Sequence, residues 1–487
     1  MVFLSFGVFA QLHQFNSYST GILEYNATLF NQEDEVIGYI LIYNKGYNED
    51  ETKLLNEFVI LDNNLNKITN GNFDLIENLN IDYMLYEVKL NKGFLDITYS
   101  MKKFKDADFY GFINTRINIK TKEIVHKKRF GAEGITEELA GKELIKNGRI
   151  FKKYDDCMTL DNIPSSLGSY FVIKTFGNCV YTPELASVTI YNSDLEKIYH
   201  IGETKAKAGH NLVFELGQIK EDQLQFYVNY NRTSFKSIVE IFDEGIKTLH
   251  AKTGEVIHQL PYNPPKGEFA VPVLEKLKDK TVVTGEIKKG YHPAGSYFRN
   301  YELLGVRRQI IDENNKVLIE KNIYFSDILK SNEEEKEKYF YKFMKVFNFN
   351  DFSFTVVLER NQESFFTLKN NLYLLDFDKE GNLIRSTVVD RDIANYNEND
   401  SFLFSQFDRE SKEILFYFYN NEKINKKIER SIVFNKYQDG KLNQEKKYAK
   451  IEDTTTKIYP AKYGHVLMID YDKKNHPVSL RLERSNL

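Results

Sequence analysis

A recurrent β-hairpin turn is the feature that most constrains what this chain can fold into. Seven times, a run rich in β-branched and aromatic residues enters a turn of Asp, Asn, Lys or Gly, and a second such run leaves it. These turn residues tolerate positive φ or hydrogen-bond their own backbone, and the flanking residues favour strands. The turns lie at residues 62–67, 120–123, 192–197, 251–255, 312–316, 378–382 and 438–441.

The spacing of these turns predicts a repeat architecture. Successive turns begin roughly 58 to 72 residues apart, which leaves room for about four strands per unit, and a period of this size is typical of a β-propeller. The sixth and seventh units show their four strands most clearly, at residues 343–348, 352–359, 371–378 and 383–389, and at residues 401–407, 413–419, 431–437 and 442–448.

The last part of the chain bears on the number of blades. It offers three strands, at residues 457–463, 465–470 and 477–483, and a terminal unit that lacks its outer strand can close a ring against the first unit. We therefore predict an all-β fold, a single β-propeller domain of about eight four-stranded blades over residues 21–487. Seven blades with an irregular closing sheet are the alternative.

Two segments depart from the strand pattern. Residues 135–147 and 326–342 have the composition of helices and fall between repeat units, so we predict two short helical insertions on one face of the propeller. We interpret the acidic residues at 333–335 and 337 as a solvated helix face, with a docking patch as the alternative.

The first ten residues form an apolar run that ends in Val8-Phe9-Ala10. Small or branched residues at these positions suit signal peptidase. Because the run lacks a positively charged start, we interpret residues 1–10 as a signal peptide truncated at its start and cleaved before Gln11, with a buried first strand as the alternative. A signal peptide predicts a periplasmic or secreted protein. No later window holds the roughly 18 consecutive apolar residues of a transmembrane helix.

The chain contains two cysteines, Cys157 and Cys179. An oxidising compartment permits a disulfide between them, which closes a short loop and constrains the unfolded state by about 3 kcal/mol. Two unpaired cysteines are the alternative, because chance alone places two in a chain of this length. The pair supplies too few ligands for a zinc site.

Charge and motifs exclude several function classes. The chain has 66 Lys and Arg against 70 Asp and Glu, so we expect no nucleic-acid partner. No H-E-x-x-H, G-x-S-x-G or phosphate-loop motif is present. Residues 376–382 resemble the start of a calcium loop, but Thr387 stands where the bidentate acid is required. We therefore expect no catalytic, metal-binding or cofactor-binding residue and no cofactor.

Two of the turns resemble the repeats of quinoprotein-type propellers. Residues 251–258 (AKTGEVIH) contain the Thr-Gly pair of those repeats, and residues 118–126 (NIKTKEIVH) are a weaker copy. The repeats differ where Ala251 replaces an Asp and where His258 and His126 replace a Trp, and the vicinal cysteines of quinoprotein dehydrogenases are absent. The resemblance implies blade geometry without a quinone cofactor. Non-enzymatic envelope propellers, including those that scaffold outer-membrane protein assembly, are similar at this level.

Aromatic side chains favour a binding function. The chain has 32 Tyr and 37 Phe, and such side chains anchor protein interfaces. We predict a non-enzymatic binding or scaffold protein of the cell envelope or exterior that presents propeller-face loops to a protein partner. The first candidate loop contains Tyr291, His292, Tyr297 and Phe298, whose aromatic rings alternatively pack on the neighbouring blade.

The main alternative is a secreted hydrolase or lyase that acts on glycans, with carboxylates from several blades gathered at the central channel. The chain has no Trp for sugar stacking, but Tyr can serve instead. A propeller that binds a small molecule in the same channel is a third hypothesis. An enzyme needs two or three convergent ionisable groups with shifted pKa values in the channel, whereas a scaffold needs none.

Overall fold

The computed structural model of the protein describes 22 segments of the chain and the last residue. These are residues 13–31, 35–50, 52–76, 81–103, 109–131, 134–137, 158–165, 168–175, 186–203, 210–220, 223–234, 237–262, 268–269, 272–289, 303–329, 339–362, 371–391, 404–424, 427–448, 450–451, 454–474, 476–485 and 487.

Strands dominate the described residues, with short 3-10 turns at Phe15–Ser17 and Phe325–Asp327. In chain order the strands are β1 (His13–Gln14), β2 (Ile22–Phe30), β3 (Val36–Tyr47), β4 (Lys53–Asp62), β5 (Lys67–Ile76), β6 (Ile81–Asn91), β7 (Phe94–Lys103), β8 (Phe109–Asn118), β9 (Ile124–Gly131), β10 (Gly134–Glu137), β11 (Met158–Ser165), β12 (Gly168–Thr175), β13 (Ala186–Tyr191), β14 (Lys197–Glu203), β15 (His210–Lys220), β16 (Gln223–Ser234), β17 (Ser237–His250), β18 (Val256–Leu260), β19 (Glu268–Phe269), β20 (Pro272–Leu277), β21 (Lys280–Lys289), β22 (Leu303–Ile311), β23 (Val317–Tyr324), β24 (Tyr339–Asn348), β25 (Phe354–Gln362), β26 (Leu372–Phe377), β27 (Leu383–Val389), β28 (Phe404–Asp408), β29 (Glu413–Ile424), β30 (Lys427–Gln438), β31 (Lys441–Tyr448), β32 (Lys450–Ile451), β33 (Thr454–Pro460), β34 (His465–Tyr471) and β35 (Pro477–Arg484).

The strands form eight antiparallel sheets, which confirms the prediction of eight blades. Blades 1 to 7 are β2–β5, β6–β10, β11–β14, β15–β18, β19–β23, β24–β27 and β28–β31, and blade 8 combines β32–β35 with β1. In blade 5, β19 and β20 pair with different parts of β21, so they act as one interrupted inner strand.

The hydrophobic core is distributed around the ring. Eight clusters of buried side chains lie one at each seam between neighbouring blades, including the seam between blades 8 and 1. Such seams cover both faces of every sheet, so successive residues of one strand enter different clusters. In β25, for example, Val356 and Leu358 pack toward blade 5 and Val357 packs toward blade 7. This burial explains why the strands read as continuous apolar runs rather than as alternating ones.

The predicted turns connect the third and fourth strands of the blades. The Asp62 carboxylate accepts hydrogen bonds from the backbone N–H groups of Asn64 and Asn66 at 2.8 and 2.9 Å, and Leu65 has a φ of 70°. Asp312 and Asp378 cap their turns in the same way. The acidic residue at the first position of these turns therefore has a direct physical role, because its carboxylate accepts the hydrogen bonds that close the turn.

Glycine is required at one of the two turns that resemble quinoprotein-type repeats. Gly254 has a φ of +72°, and a Cβ atom there would lie 1.6 Å from the Ile198 carbonyl oxygen of blade 3. Lys122 occupies the corresponding place in blade 2 with a φ of 67°. Of these two turns, only the one in blade 4 therefore requires glycine for the close approach between blades 3 and 4.

The N-terminal strand β1 closes the ring. His13 and Gln14 pair with Leu480 and Ser479 and so supply the outer strand that the last three-strand unit lacks. Phe15 is buried between blades 8 and 1, and the Tyr18 hydroxyl donates to the Leu65 carbonyl at 2.9 Å. The described part of the propeller therefore begins at His13, before the expected boundary at residue 21.

The predicted helical insertions contain no α-helix where the structure describes them, and only Ser326 and Asp327 lie in a short 3-10 helix, Phe325–Asp327. Ile135, Thr136 and Glu137 belong to β10, which pairs with β9 at the edge of blade 2. Residues 339–342 begin β24, where a Tyr-Phe-Tyr run favours a strand. Residues 138–147 and 330–338 lie outside the described residues, as does the expected signal peptide at residues 1–10.

The first strand of each blade lies nearest the ring axis. Strand β6 contacts its counterparts β2 and β11, β15 contacts β20, and β28 contacts β33, which is the first strand of blade 8 after the two-residue β32. Side chains on these inner strands therefore form the wall of the central channel.

Candidate functional site

Three carboxyl groups lie on the inner strands of three consecutive blades. Glu87 is on β6, Asp161 is on β11 and Glu215 is on β15, each four or five residues before the end of its strand. Because inner strands run in one direction around the ring, these positions lie at a similar height along the channel. We call Glu87, Asp161 and Glu215 the carboxylate row.

Hydrogen bonds and ion pairs position the first two members of the row. Lys89 lies 3.2 Å from the Glu87 carboxylate, and Lys174 lies 2.8 Å from that of Asp161. Glu87 also accepts a hydrogen bond from the backbone N–H of Asn162 at 3.1 Å, which joins blade 2 to blade 3. The row is thus held by its own sheets and by one contact across a seam.

Burial shifts the pKa values of the two glutamates in the same direction. Burial raises the pKa of Glu87, and the nearby Asp161 charge raises it further against the opposing effect of Lys89. Burial and Asp161 likewise raise the pKa of Glu215, against the effect of Lys174. Since Asp161 acts on both, the three groups share one electrostatic environment. The glutamates therefore bind protons more readily than ordinary glutamates do.

A tyrosine adds an aromatic face to this wall. Tyr86 on β6 remains 42% exposed, and its ring lies 4.5 Å from that of Phe112. Burial and the charges of Asp161 and Glu87 raise the pKa of Tyr86 to about 12, so the hydroxyl stays protonated at neutral pH. Met84, on the same strand, is also exposed. The wall therefore combines carboxyl groups with exposed apolar surface.

Two polar side chains beside the row lack hydrogen-bond partners among the described residues. The side-chain oxygen and nitrogen of Asn162 are both buried without a partner, and so is the Thr159 hydroxyl on β11. Asn162 is only 2% exposed. Buried polar groups are normally satisfied, so these atoms mark a place where a water molecule or ligand can complete the hydrogen bonding.

The opposite side of the channel wall has a different polar arrangement. Glu275 on β20 accepts a hydrogen bond from the Asn348 amide at 2.6 Å and pairs with Arg409 at 2.5 Å. The Asn348 side-chain oxygen accepts from Arg308 at 2.6 Å. These four residues link blades 5, 6 and 7, and we call them the blade 5–7 network.

Arg308 is the buried centre of this network. Its side chain is 1% exposed, donates to the Phe352 carbonyl at 2.9 Å and lies 4.0 Å from the Phe354 ring centroid. Burial lowers the pKa of Arg308 to about 10, against the effect of Glu275, so the guanidinium remains charged at neutral pH. The Arg308 Nε atom has no acceptor among the described residues, but both terminal nitrogens donate to groups of the protein, which indicates a structural role.

Two further ionisable groups, Asp376 and Tyr437, lie at the seam between blades 6 and 7. A cavity of about 40 Å³ between blades 6 and 7 is lined by Asp376 and Tyr437, and it has room for little more than water. Tyr437 donates to Asp376 at 2.6 Å, and burial raises the pKa of both groups. Among the described residues, no three His, Cys, Asp or Glu side chains come close enough to hold a metal ion.

The residues singled out from the sequence lie outside the described part of the chain. These are Cys157 and Cys179 of the expected disulfide, and Tyr291, His292, Tyr297 and Phe298 of the expected interaction loop. The disulfide and the loop stay predictions. Sequence reasoning named carboxylates at the channel as a class but not the carboxylate row, because a single acidic residue within a strand carries no local signal.

Within the described residues, no helix has the length and hydrophobicity that a membrane span requires. No protein-family model and no curated protein matches the chain.

Among solved structures, the chain is similar to a PL25 ulvan lyase at 11% identity, with a TM-score of 0.41 over 83% of this chain and 93% of that one. It is similar to the β-propeller domain of the Trilobed protease from Pyrococcus furiosus at 10% identity, with a TM-score of 0.36 over 82% and 95%. It is also similar to a DUF4221 family member from Bacteroides vulgatus at 10% identity, with a TM-score of 0.29 over 77% and 100%. At these scores the similarities carry no argument about function.

Proposed function

We propose that the protein is a non-enzymatic binding propeller of the cell envelope or exterior and that a polar ligand binds at the carboxylate row. One observation supports a ligand site at the row above others: three blades bring Glu87, Asp161 and Glu215 to a similar height of the channel wall, where burial raises the pKa of both glutamates. Because an enzyme also needs such groups, the non-enzymatic part of the proposal needs a separate test. Ionisable groups with perturbed pKa values that converge in a cleft are typical of binding and catalytic sites.

The row suits a ligand with several hydroxyl or amino groups. A carboxyl group that holds a proton can donate and accept hydrogen bonds, and a carboxylate oxygen accepts them. The exposed face of Tyr86 offers a surface for stacking. Glycans and amino sugars combine hydroxyl or amino groups with apolar ring faces, so they are the first ligands to test.

Titration calorimetry tests this function with a panel of neutral glycans, amino sugars and polyamines. We expect Glu215→Gln and Asp161→Asn to weaken binding about tenfold, or about 1.4 kcal/mol. Glu380→Gln, on an exposed turn of blade 6, is the matched control and should bind as the wild type does. Equal affinity of all four proteins would refute the assignment of the site.

A glycan-active hydrolase or lyase is the second candidate function. It is favoured by a glutamate with a raised pKa beside an aspartate, since such a pair can divide acid and base roles. Incubation of the binding glycans with the protein, followed by mass analysis of products, separates the two functions. Cleavage that Glu87→Gln abolishes would establish the enzyme and end the non-enzymatic proposal.

The proposed location and protein partner need tests in the native host. Export predicts a mature N-terminus at Gln11 and, with it, a disulfide between Cys157 and Cys179, both of which mass spectrometry detects. Affinity purification from envelope fractions tests for a stoichiometric protein partner. Substitution of Tyr291 and Phe298 by Ala should release that partner if the loop is its contact, whereas a full-length cytoplasmic product would contradict export.

A further inference from the structure

We infer that a groove on the outer wall of the propeller, between blades 4 and 5, is a second binding site and that its ligand is an uncharged saccharide. The groove encloses about 440 Å³, which lies within the range of small-ligand sites. It is lined by Leu260, Pro261, Arg307, Gln309, Val317, Glu320 and Asn322. We call it the blade 4–5 groove.

The groove exists because the outer strand of blade 4 is short. Strand β18 has five residues and ends at Leu260, where Pro261 interrupts the pattern of backbone hydrogen bonds. Blade 5 continues beside it with the longer strands β22 and β23. Among the described residues, no strand of blade 4 therefore covers the outer half of this face of blade 5.

Two cross-strand pairs form the polar floor of this groove. Arg307 lies opposite Asn322, and Gln309 lies opposite Glu320, so four side chains with planar polar groups share one patch of sheet. Arg307 donates to the Asn322 side-chain oxygen at 3.3 Å and forms an ion pair with Glu320. These contacts hold the groups in place before a ligand arrives, which lowers the entropic cost of binding.

The charges of the floor are nearly balanced. The Arg307 guanidinium is matched by Glu320, and burial raises the pKa of the neighbouring Glu244 against the effect of Arg307. A strongly charged ligand would have to displace Glu320 and leave a charge without its partner. An uncharged ligand can instead use the remaining donors and acceptors of the four side chains.

Hydrogen-bonding capacity remains unused at this floor. The Arg307 Nε atom is buried, and the described residues offer it no acceptor. The fully buried ring of Tyr262 lies 5.2 Å from the Arg307 guanidinium and supports it from beneath the groove. A ligand hydroxyl, directly or through water, can supply the acceptor that Arg307 Nε lacks.

The other side of the groove is apolar. Leu260 and Pro261 of blade 4, together with Val317 of blade 5, line it. A sugar ring has C–H faces that pack on such side chains and hydroxyl groups at its edge that pair with amide, carboxylate and guanidinium groups. Because the groove lies on outer strands and the carboxylate row lies on inner ones, the two sites can be tested independently.

Binding to a glycan array, followed by calorimetry with the glycans that bind, tests this inference. We expect Gln309→Ala and Asn322→Ala to weaken binding of an uncharged saccharide at least tenfold. Gln444→Ala is the matched control, because Gln444 lies opposite Asn435 on the corresponding strands of blade 7 and donates to it at 2.8 Å. The control should bind as the wild type does.

Two further variants separate a loss of binding from a loss of folding and distinguish the groove from the channel. Glu320→Gln changes a side chain that is 47% exposed, so this variant should fold normally, and it should weaken binding. It therefore serves as the test if the two alanine variants fail to fold. Glu215→Gln should leave binding at the groove unchanged, so failure of the channel proposal is distinguishable from failure of this one. Absence of any glycan that binds, or binding that only Glu215→Gln weakens, would overturn the inference.

Discussion

Both sides of the channel wall carry charged side chains, but the hydrogen-bond and ion-pair partners of these side chains differ between the two sides. In blades 5–7, Glu275, Asn348, Arg308 and Arg409 contact one another across two seams, and every connection is internal. In blades 2–4, each lysine pairs with a carboxylate of its own blade, and the Asp161 charge raises the pKa of both neighbouring glutamates.

This difference separates structural charges from charges available to a ligand. The blade 5–7 network lowers the cost of burying Arg308 by surrounding it with acceptors and with the Phe354 ring. The carboxylate row instead leaves groups of like charge near one another, which costs free energy unless a proton or a ligand intervenes. The number of charged residues alone would not distinguish the two sides.

The largest expected effect is on stability. Asn348→Ala removes one acceptor of the buried Arg308 and a donor to Glu275, so we expect the free energy of unfolding to fall by about 3 kcal/mol. Glu87→Gln, on the other side of the wall, should change it by about 0.5 kcal/mol or less, because the charge it removes is already disfavoured by burial. Urea denaturation followed by circular dichroism measures both. Equal losses would end the distinction between the two sides.

We expect a smaller effect, in free energy, on the affinity for the channel ligand. Here a substitution in the carboxylate row should have a larger effect than one in the blade 5–7 network. Arg409→Ala alters a half-exposed side chain of the blade 5–7 network and should leave the affinity for the channel ligand unchanged. Glu87→Gln should weaken that affinity about tenfold, or about 1.4 kcal/mol. Calorimetry on folded variants tests this reversal, and a greater loss in Arg409→Ala would place the ligand on the opposite side.

The smallest effect is a change in the pH dependence of stability. Because the pKa values of Glu87 and Glu215 are raised in the folded protein, the native state binds protons where the unfolded chain does not. This contribution to the free energy of unfolding is therefore present at low pH and is lost as the pH rises through the folded pKa values. The double variant Glu87→Gln, Glu215→Gln should lack it. Unfolding curves from pH 4 to pH 8 that run parallel for the two proteins would contradict the shifts.

The fold was predictable because its determinants are local and repeated. The turn that begins at Asp378 has a capping carboxylate and a glycine at positive φ, and both are visible in the sequence. The strands around it, β24–β27, agree with the predicted ones to within a few residues. The helix predicted at residues 135–137 was wrong, because pairing of these residues with β9 outweighs their weak helix propensity.

The site was not predictable because it is assembled by the ring. Glu87, Asp161 and Glu215 come from three separate repeat units and meet only when three inner strands lie side by side. Strand β1 was missed for a related reason: two residues carry no periodic pattern, and their partner strand lies at the other end of the chain.

The closure of the ring by β1 has a consequence for the order of folding. His13 and Leu480 pair across about 470 residues of intervening chain, so this contact has a very large sequence separation and a high entropic cost of loop closure. Blades 1 to 7 can form successively from neighbouring strands as the nascent chain lengthens. Blade 8 cannot complete its sheet until its last strand has been synthesised and has met the first, so ring closure is expected to be the slow final step of folding.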